Sequence, residues 1–309
     1  MNTSKILKNF HGRLEDLGYK GQVISAKRIP DLRNNMQTLR DQSLIPSPLY
    51  EDYKRYFEFE VKVDFPEVNS LFTIAKPVPQ HRVIFNWRGK ELRLIIPPTY
   101  FNNKEITNEV KAILAEVLSP EGFNFTYARL PQKTLAVRGG LAEYGRNNIS
   151  YIQGMGSFFR LTTFYTDFPV EEDNWRELKM MELCNKCSAC INNCPTGAIS
   201  TDRFLLHVER CLTHHNEQPG EIPFPEWIDP SWHNCLVGCL QCQNVCPANK
   251  KVKDWTEAGP VFTEEETKLL TNKQELDSLP TKLMRKLKKF EFAHYLKVFP
   301  RNIGGILKK

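Results

Sequence analysis

No cysteine occurs before Cys184 or after Cys246, although the 309-residue chain has nine of them. No apolar run approaches the ~20 residues needed to cross a bilayer. The opening octapeptide, Met1-Asn-Thr-Ser-Lys-Ile-Leu-Lys8, has no signal-peptide core. Low-complexity tracts are missing, and so are internal repeats outside the cysteine-rich stretch. These absences exclude a membrane span and argue against a secreted disulfide framework, so the expected setting is the cytoplasm, where thiolates stay reduced. Acid is scarce at one end. Residues 281–309 hold nine Lys/Arg (Lys282, Arg285, Lys286, Lys288, Lys289, Lys297, Arg301, Lys308, Lys309) against Glu291, a local charge of +8 that leaves −2 for the rest of a +6 chain. Such a tail suits nucleic acid or an acidic protein partner as well as a solvated helix face. With 41% hydrophobic and 25% charged residues, the remainder reads as ordinary globular sequence, long enough for two domains.

What is present is concentrated in the cysteines. One run reads Cys184-Asn-Lys-Cys187-Ser-Ala-Cys190-Ile-Asn-Asn-Cys194-Pro195, and a second reads Cys239-Leu-Gln-Cys242-Gln-Asn-Val-Cys246-Pro247. Three cysteines at three-residue steps, then a fourth before proline, form the bacterial-ferredoxin signature, in which the fourth cysteine serves the other 4Fe–4S cube. One cluster therefore takes Cys184, Cys187, Cys190 and Cys246. The other takes Cys194, Cys239, Cys242 and one more, Cys211 or Cys235. Zinc prefers two separated cysteine pairs and fits this spacing poorly. His207, His214, His215 and His233 lie among the cysteines and read as surface or supporting residues, since the thiols already suffice. The tryptophans read as core or domain-contact residues.

Along the chain, Ile6, Leu7, Phe10, Leu14 and Leu17 predict a helix over residues 4–18, stopped by Gly18. Residues 30–56, with Pro46 and Pro48, read as a loop-rich connection that can include a short helix. Residues 57–65 alternate apolar and charged side chains and predict a half-buried strand. Residues 70–75 predict another strand, and residues 83–87 and 91–96 flank Arg88-Gly89-Lys90 as a hairpin. A helix is expected from Asn103 to Leu118, stopped by Ser119-Pro120-Glu121-Gly122. Pro131 suits the first turn of a further helix. Within it Gly139-Gly140, at about 1 kcal/mol each relative to alanine, imply that an element or a ligand packs against the backbone. Strand-like pieces at 148–152 and 158–165 flank a flexible loop, Gln153-Gly154-Met155-Gly156-Ser157. Residues 263–272 and 273–279 read as helical, and Pro300 with Gly304-Gly305 as a terminal loop. The expected organisation is α+β: a mixed α/β domain over 1–180, a two-cluster ferredoxin-like domain over 181–255 and a short helical basic segment over 256–309.

The segment Ala136-Val-Arg138-Gly139-Gly140-Leu-Ala-Glu143-Tyr144-Gly145-Arg146-Asn147, the Gly156-Ser157-Phe158 turn, Arg210-Cys211 and the two cysteine runs together resemble the epoxyqueuosine reductases, cobalamin-dependent iron–sulfur enzymes related to reductive dehalogenases. The resemblance covers roughly residues 125–250. It implies a nitroreductase/cobalamin-reductase-like sandwich for residues 1–180, with Arg138, Gly140, Asn147, Gly156 and Ser157 framing a cobalamin. It makes Cys211, which follows an arginine, the remaining ligand of the second cluster and leaves Cys235 spare. The implied function is a reductase that relays single electrons from a low-potential donor, such as a ferredoxin or flavodoxin, through two 4Fe–4S clusters to that cofactor or to substrate. An electron-transfer protein without cobalamin is the alternative. The family's aspartate proton donor precedes the proline that Pro131 matches, and Ala128 occupies its place, so no catalytic residue is assigned. Full-length members continue into helical repeats that help hold tRNA, and this chain ends soon after Arg301-Asn302.

Overall fold

The computed structural model describes residues 3–272 and 275–307. By its contacts the chain divides into two units, Met1–Pro77 with Lys104–Cys187 and Val78–Asn103 with Ser188–Lys309.

The first unit is built on a four-stranded antiparallel sheet. Its elements in order are α1 (Thr3–Asp16), β1 (Lys20–Ser25), α2 (Ile29–Asp41), α3 (Ser47–Tyr56) and β2 (Ser70–Pro77); those after the excursion into the other unit are α4 (Asn103–Leu118), β5 (Phe125–Tyr127), α5 (Gln132–Arg138), β6 (Glu143–Tyr144), β7 (Ser150–Tyr151) and β8 (Phe159–Thr166). The sheet order is β1-β2-β8-β5. The first six residues of β2 are all buried, because both faces of the sheet are covered. On one face Phe72, Ile74 and Phe164 meet Phe10 and Leu14 of α1 and Val110 and Leu114 of α4. On the other, Ile24, Leu71 and Tyr165 meet Leu32 of α2 and Leu135 of α5. Helix on sheet on helix is what period-3.6 stripes flanking fully buried strands require.

Three expectations are corrected here. Residues 57–65 keep their alternation, with half-buried apolar and exposed charged side chains, but form an extended strap outside any strand. Phe59, Val61, Val63 and Phe65 pack on the apolar cluster around Leu32 and Tyr165. One-sided packing imposes period two without a partner backbone, so the pattern alone could not separate strap from strand. Residues 30–56 hold two helices, α2 and α3, where a loop-rich connection with at most a short helix was expected. Pro30 and Pro48 sit in the first turns, where the missing N–H costs nothing, and Pro46 is the residue that precedes α3. The expected strand at 148–152 shrinks to Ser150–Tyr151, paired with Glu143–Tyr144.

The second unit holds β3 (Gln80–Trp87) and β4 (Lys90–Ile96), the expected hairpin, then α6 (Ala189–Asn192), α7 (Leu212–Glu217), α8 (Gln241–Asn244), β9 (Thr256–Phe262), α9 (Glu264–Thr271), α10 (Thr281–Lys289) and α11 (Phe299–Ile306). The sequence pattern did not signal β9, which runs parallel to β3. Val83, Phe85, Leu94 and Ile96 share one core with Phe262, Leu270, Leu283, Leu287 and Phe299. The N-terminus of α9 is closed by a capping box in which Thr263 and Glu266 satisfy each other's backbone N–H. The expected terminal loop is α11 instead: Pro300 lies in its first turn, and a methyl on Gly305 would stand 3.1 Å from the Phe224 ring. The helix expected over 273–279 is a short 3-10 turn at Leu276–Ser278, and residues 273 and 274 lie outside the described residues.

α11 is tied to the cysteine-rich stretch by two adjacent side chains, Arg301, which donates to the carbonyls of Asn216, Pro219 and Ile222, and Asn302. Asn302 is buried and donates from Nδ2 to the carbonyls of Asn216 at 2.9 Å and Leu236 at 2.8 Å. Replacing Asn302 by alanine leaves the Leu236 carbonyl without that donor and is expected to cost about 1–3 kcal/mol. The midpoint of denaturant unfolding, measured without oxygen, checks this, and an unchanged midpoint refutes it.

Candidate functional site

The two cysteine runs fold alike. Aligning Cys187, Cys190 and Cys194 with Cys239, Cys242 and Cys246 superposes α6 on α8, each a single four-residue turn. The residue entering α6, Ser188, has φ −118° and ψ 11°, and its counterpart Leu240 has −113° and 4°. The residues leaving them, Asn193 and Val245, have −96°, −4° and −93°, −6°. The two turns pack on each other, and Asn193 Nδ2 donates to the Gln241 carbonyl at 2.7 Å. In this alignment the counterpart of Cys184 is Leu236, a fully buried residue of the apolar core. The second run therefore lacks its third cysteine because that position packs the unit's interior.

Cys211 opens α7. Its sulfur accepts backbone N–H groups of Thr213 and His214, and Cys239 accepts that of Gln241. Burial raises the Cys211 thiol and pushes the Cys239 thiol up to about 12. Cys194 stands close enough to both for its charge to disfavour their ionisation, and Cys211 does the same to Cys239. These neighbouring thiols repel as thiolates, and N–H groups are aimed at the sulfurs of Cys211 and Cys239; positive charge bound nearby would reverse that repulsion. All nine cysteines are free of disulfides. Among the described residues no three His, Cys, Asp or Glu side chains converge on a single-ion site. An iron–sulfur cube does not ask for that, since each of its four thiolates binds a different iron.

Cys235 also lies close enough to Cys239 to feel its charge and accepts the Leu240 N–H, but burial is the main cause that raises its thiol. It is 1% exposed, bridges to Ile95 of β4, and is flanked by the Leu236 N–H to Ile95 carbonyl bond of 3.1 Å. In the first unit, Cys184 is buried in a 3-10 turn, and its carbonyl accepts from Arg146 Nη2 at 3.0 Å and from the Cys187 N–H. His207 and His215 lean on Glu209, and His214 on Gln218. His233 is buried against Phe224 rather than at the surface. Trp227 and Trp255 are substantially exposed, so of the core or domain-contact placement expected for them the core part does not hold.

The glycine segment shows what its two glycines serve. The helix ends at Arg138, so Gly139 and Gly140 follow it rather than lie inside it. A methyl on Gly139 would lie 2.5 Å from the Gln22 amide nitrogen and 2.6 Å from Ile24 Cδ1, so β1 is the element that packs there. Gly140 turns the chain at φ 86°, a conformation that favours glycine. Gln22 bridges the turn, donating to the Leu135 carbonyl and accepting the Leu141 N–H. Arg176 holds the carbonyls of Val137 and Ala142 from the other side. Arg138 is engaged internally: it bonds the Arg176 carbonyl and Asn35 and lies 4.8 Å over Trp175. Asn147 is buried, donates to the Tyr151 hydroxyl and accepts the Ile149 N–H. Gly156 closes a tight loop with Ile152, Ser157 is buried beside it, and Lys20 bonds the Gln153 carbonyl at 2.7 Å. Ala128 is fully buried, and its N–H donates to Thr163. Neither Gln22 nor Arg176 was marked by a motif, since a single polar residue in a strand or a coil carries no spacing signal.

Residues 183–249 match the family model of a 4Fe-4S double cluster binding domain. The epoxyqueuosine reductase of Pseudomonas aeruginosa is 33% identical over 150 residues, which cover 48% of this chain and 40% of that protein. That of Escherichia coli is 34% identical over 131 residues, 42% of this chain and 33% of the relative. The match thus spans about two fifths or less of these curated relatives. Among solved structures, an epoxyqueuosine reductase from Bacillus subtilis has TM-score 0.67 at 19% identity, covering 99% of this chain and 82% of that one. An epoxyqueuosine reductase with an epoxyqueuosine-modified tRNA-Tyr stem loop has TM-score 0.67 at 18% identity, with the same coverage. The sequence resemblance is thereby borne out, and the shared fold extends over nearly the whole chain.

Gly139→Ala is expected to lower stability by about 1–3 kcal/mol through overpacking against β1, and Gly140→Ala by about 1–2 kcal/mol through its left-handed backbone. Unfolding midpoints of both variants test this. A neutral Gly139→Ala would mean that β1 does not pack there.

Proposed function

We propose that this chain, similar to the epoxyqueuosine reductases and carrying a 4Fe-4S double cluster domain, is an iron–sulfur reductase of the cytoplasm. The observation that carries the reading is the pair of superposable cysteine turns, with Cys194, Cys211 and Cys239 crowded beside them. Cys184, Cys187, Cys190 and Cys246 would hold one cluster, and Cys194, Cys211, Cys239 and Cys242 the other. Bound there, the clusters supply one-electron transfer at low potential. The chain contributes N–H donors that favour thiolate at Cys211 and Cys239, which tune such centres. A soluble low-potential donor of the ferredoxin or flavodoxin class would feed them.

A corrinoid is the cofactor proposed for the first unit, by similarity. Arg138 and Asn147 fit that role poorly, because their side chains are committed to internal partners. The glycines fit better. The missing side chain of Gly154 faces open space, and that of Gly140 meets nothing closer than 3.7 Å, so backbone surface is available there. tRNA is the proposed substrate, on the likeness to a structure with a tRNA stem loop and on α10, which buries Leu283 and Leu287 and exposes Lys282, Arg285, Lys288 and Lys289.

Two measurements test these assignments. Protein reconstituted without oxygen should hold about eight irons per chain, falling to about four in Cys211→Ser and staying near eight in Cys235→Ser. Loss in Cys235→Ser with retention in Cys211→Ser would reverse the ligand assignment. Cob(II)alamin added to the same protein should shift its spectrum and co-elute, and failure of both removes the corrinoid while leaving the clusters.

A further inference from the structure

A groove of about 740 Å³ opens on the first unit between α2, α3 and the extended strap that follows α3. It has no part in the cysteine site or the glycine segment. Its volume lies within the range of small-molecule sites. One wall is a single face of α2, where Arg33, Gln37 and Arg40 recur at helical spacing. The opposite walls carry Tyr50 and Lys54 of α3 and Phe57, Phe59 and Lys62 of the strap.

Its charge and its flat surfaces are interleaved. Arg40 lies 5.2 Å over the Tyr50 ring, and Arg33 lies 5.7 Å over the Phe59 ring. The Tyr50 hydroxyl is fixed by Gln37 at 2.7 Å, so that ring is held in place. Two acids also line the groove. Glu58 is drawn away by Arg129 at 3.2 Å, and Glu60 only grazes Arg33 at 4.0 Å. Among the described residues Arg40, Lys54 and Lys62 have no carboxylate within ion-pair distance. An ordinary solvated face would scatter its cations outward. Here they surround a concavity whose walls are aromatic rings and guanidinium planes.

We propose that this groove binds a free nucleoside phosphate. Aromatic rings and arginine planes stack a base whatever its identity, and the unneutralised cations take the phosphate through charge-assisted hydrogen bonds. The proposal stands apart from the cluster reading and involves none of the cysteines.

Calorimetric titration of the full chain, reconstituted without oxygen, tests it with AMP and ADP, and with adenosine, ribose 5-phosphate and a short single-stranded oligoribonucleotide as comparisons. Saturable binding of AMP and ADP is expected, at least about tenfold tighter than either adenosine or ribose 5-phosphate. The double variant Arg40→Gln/Lys54→Gln should weaken AMP by about tenfold or more, with an unchanged melting temperature, while Arg93→Gln on the second unit leaves it unaltered. The proposal fails if neither nucleotide saturates by about 5 mM, or if the double variant binds as the parent does. It fails too if ribose 5-phosphate matches AMP, since the rings then play no part. An oligoribonucleotide that binds through Arg40 and Lys54 while AMP and ADP do not overturns the free-nucleotide assignment.

Discussion

Thiolates cannot be crowded together in a protein interior without positive charge between them. That constraint governs the stretch from Cys184 to Cys246. Its helices are four to six residues long, far below the length at which a helix is stable alone. The rest is turns. Side-chain amides hold these turns: Asn193 on the Gln241 carbonyl, Asn216 on that of Gly238, Asn249 on that of Gln243, and Asn302 on those of Asn216 and Leu236. Each amide satisfies a carbonyl that no regular ladder serves. They fix the backbone, but they do nothing for the charge on sulfur. Clusters of the kind the matched domain binds would supply the positive charge that the amides do not.

The first unit answers a different constraint, close approach. Helix α5 must end where β1 passes beneath it, and a side chain at residue 139 would strike Gln22 and Ile24. The chain then reverses at Gly140 and is clamped by Gln22 on one side and Arg176 on the other. Arg176 stands in the coil that continues beside Tyr144, with the Met181 N–H donating to the Tyr144 carbonyl, and then reaches Cys184. Arg146, two residues beyond Tyr144, bonds the Cys184 carbonyl. The motif that marks the glycine turn and the turn that carries the first cysteines are thus joined through backbone carbonyls, which do not depend on side-chain identity at the accepting positions.

The sequence made the regular elements with strong stripes legible: α1 from Ile6, Phe10 and Leu14, α4 from Ile106, Val110 and Ile113, and the β3–β4 hairpin from its Arg88-Gly89 turn. It also made the cysteine chemistry legible, because ligand spacing is local. Three kinds of feature escaped. Helix α2 was hidden because its buried stripe is only Ile29, Leu32 and Met36 in a polar run. Strand β9 was hidden because its partner β3 lies some 176 residues away along the chain, and its sequence, with Gly259 and Pro260, lacks a strand's alternation. The strap at 57–65 showed a strand's pattern without a strand's partner. The internal partners of two candidate cofactor residues were not legible either: Arg138 bonds Asn35 and the Arg176 carbonyl, and Asn147 bonds the Tyr151 hydroxyl.

The residue at position 128 shows how packing constrains chemistry. β5 ends at Tyr127, and the Ala128 N–H still bonds the Thr163 carbonyl at 2.9 Å, so the strand's alternation carries through. Half-buried Tyr127 and exposed Arg129 flank a side chain directed into the apolar cluster of Ile24, Leu32, Leu130 and Tyr165. A carboxylate placed there would lose its hydration among apolar side chains, at a cost that favours the protonated form or disrupts the cluster. The alanine is therefore what this backbone course requires. A reductase built on this chain must take its proton from another position, and the neighbouring groups that alternation turns away from the core are Tyr127, whose hydroxyl accepts from Gln132 at 3.4 Å, and Arg129, paired with Glu58.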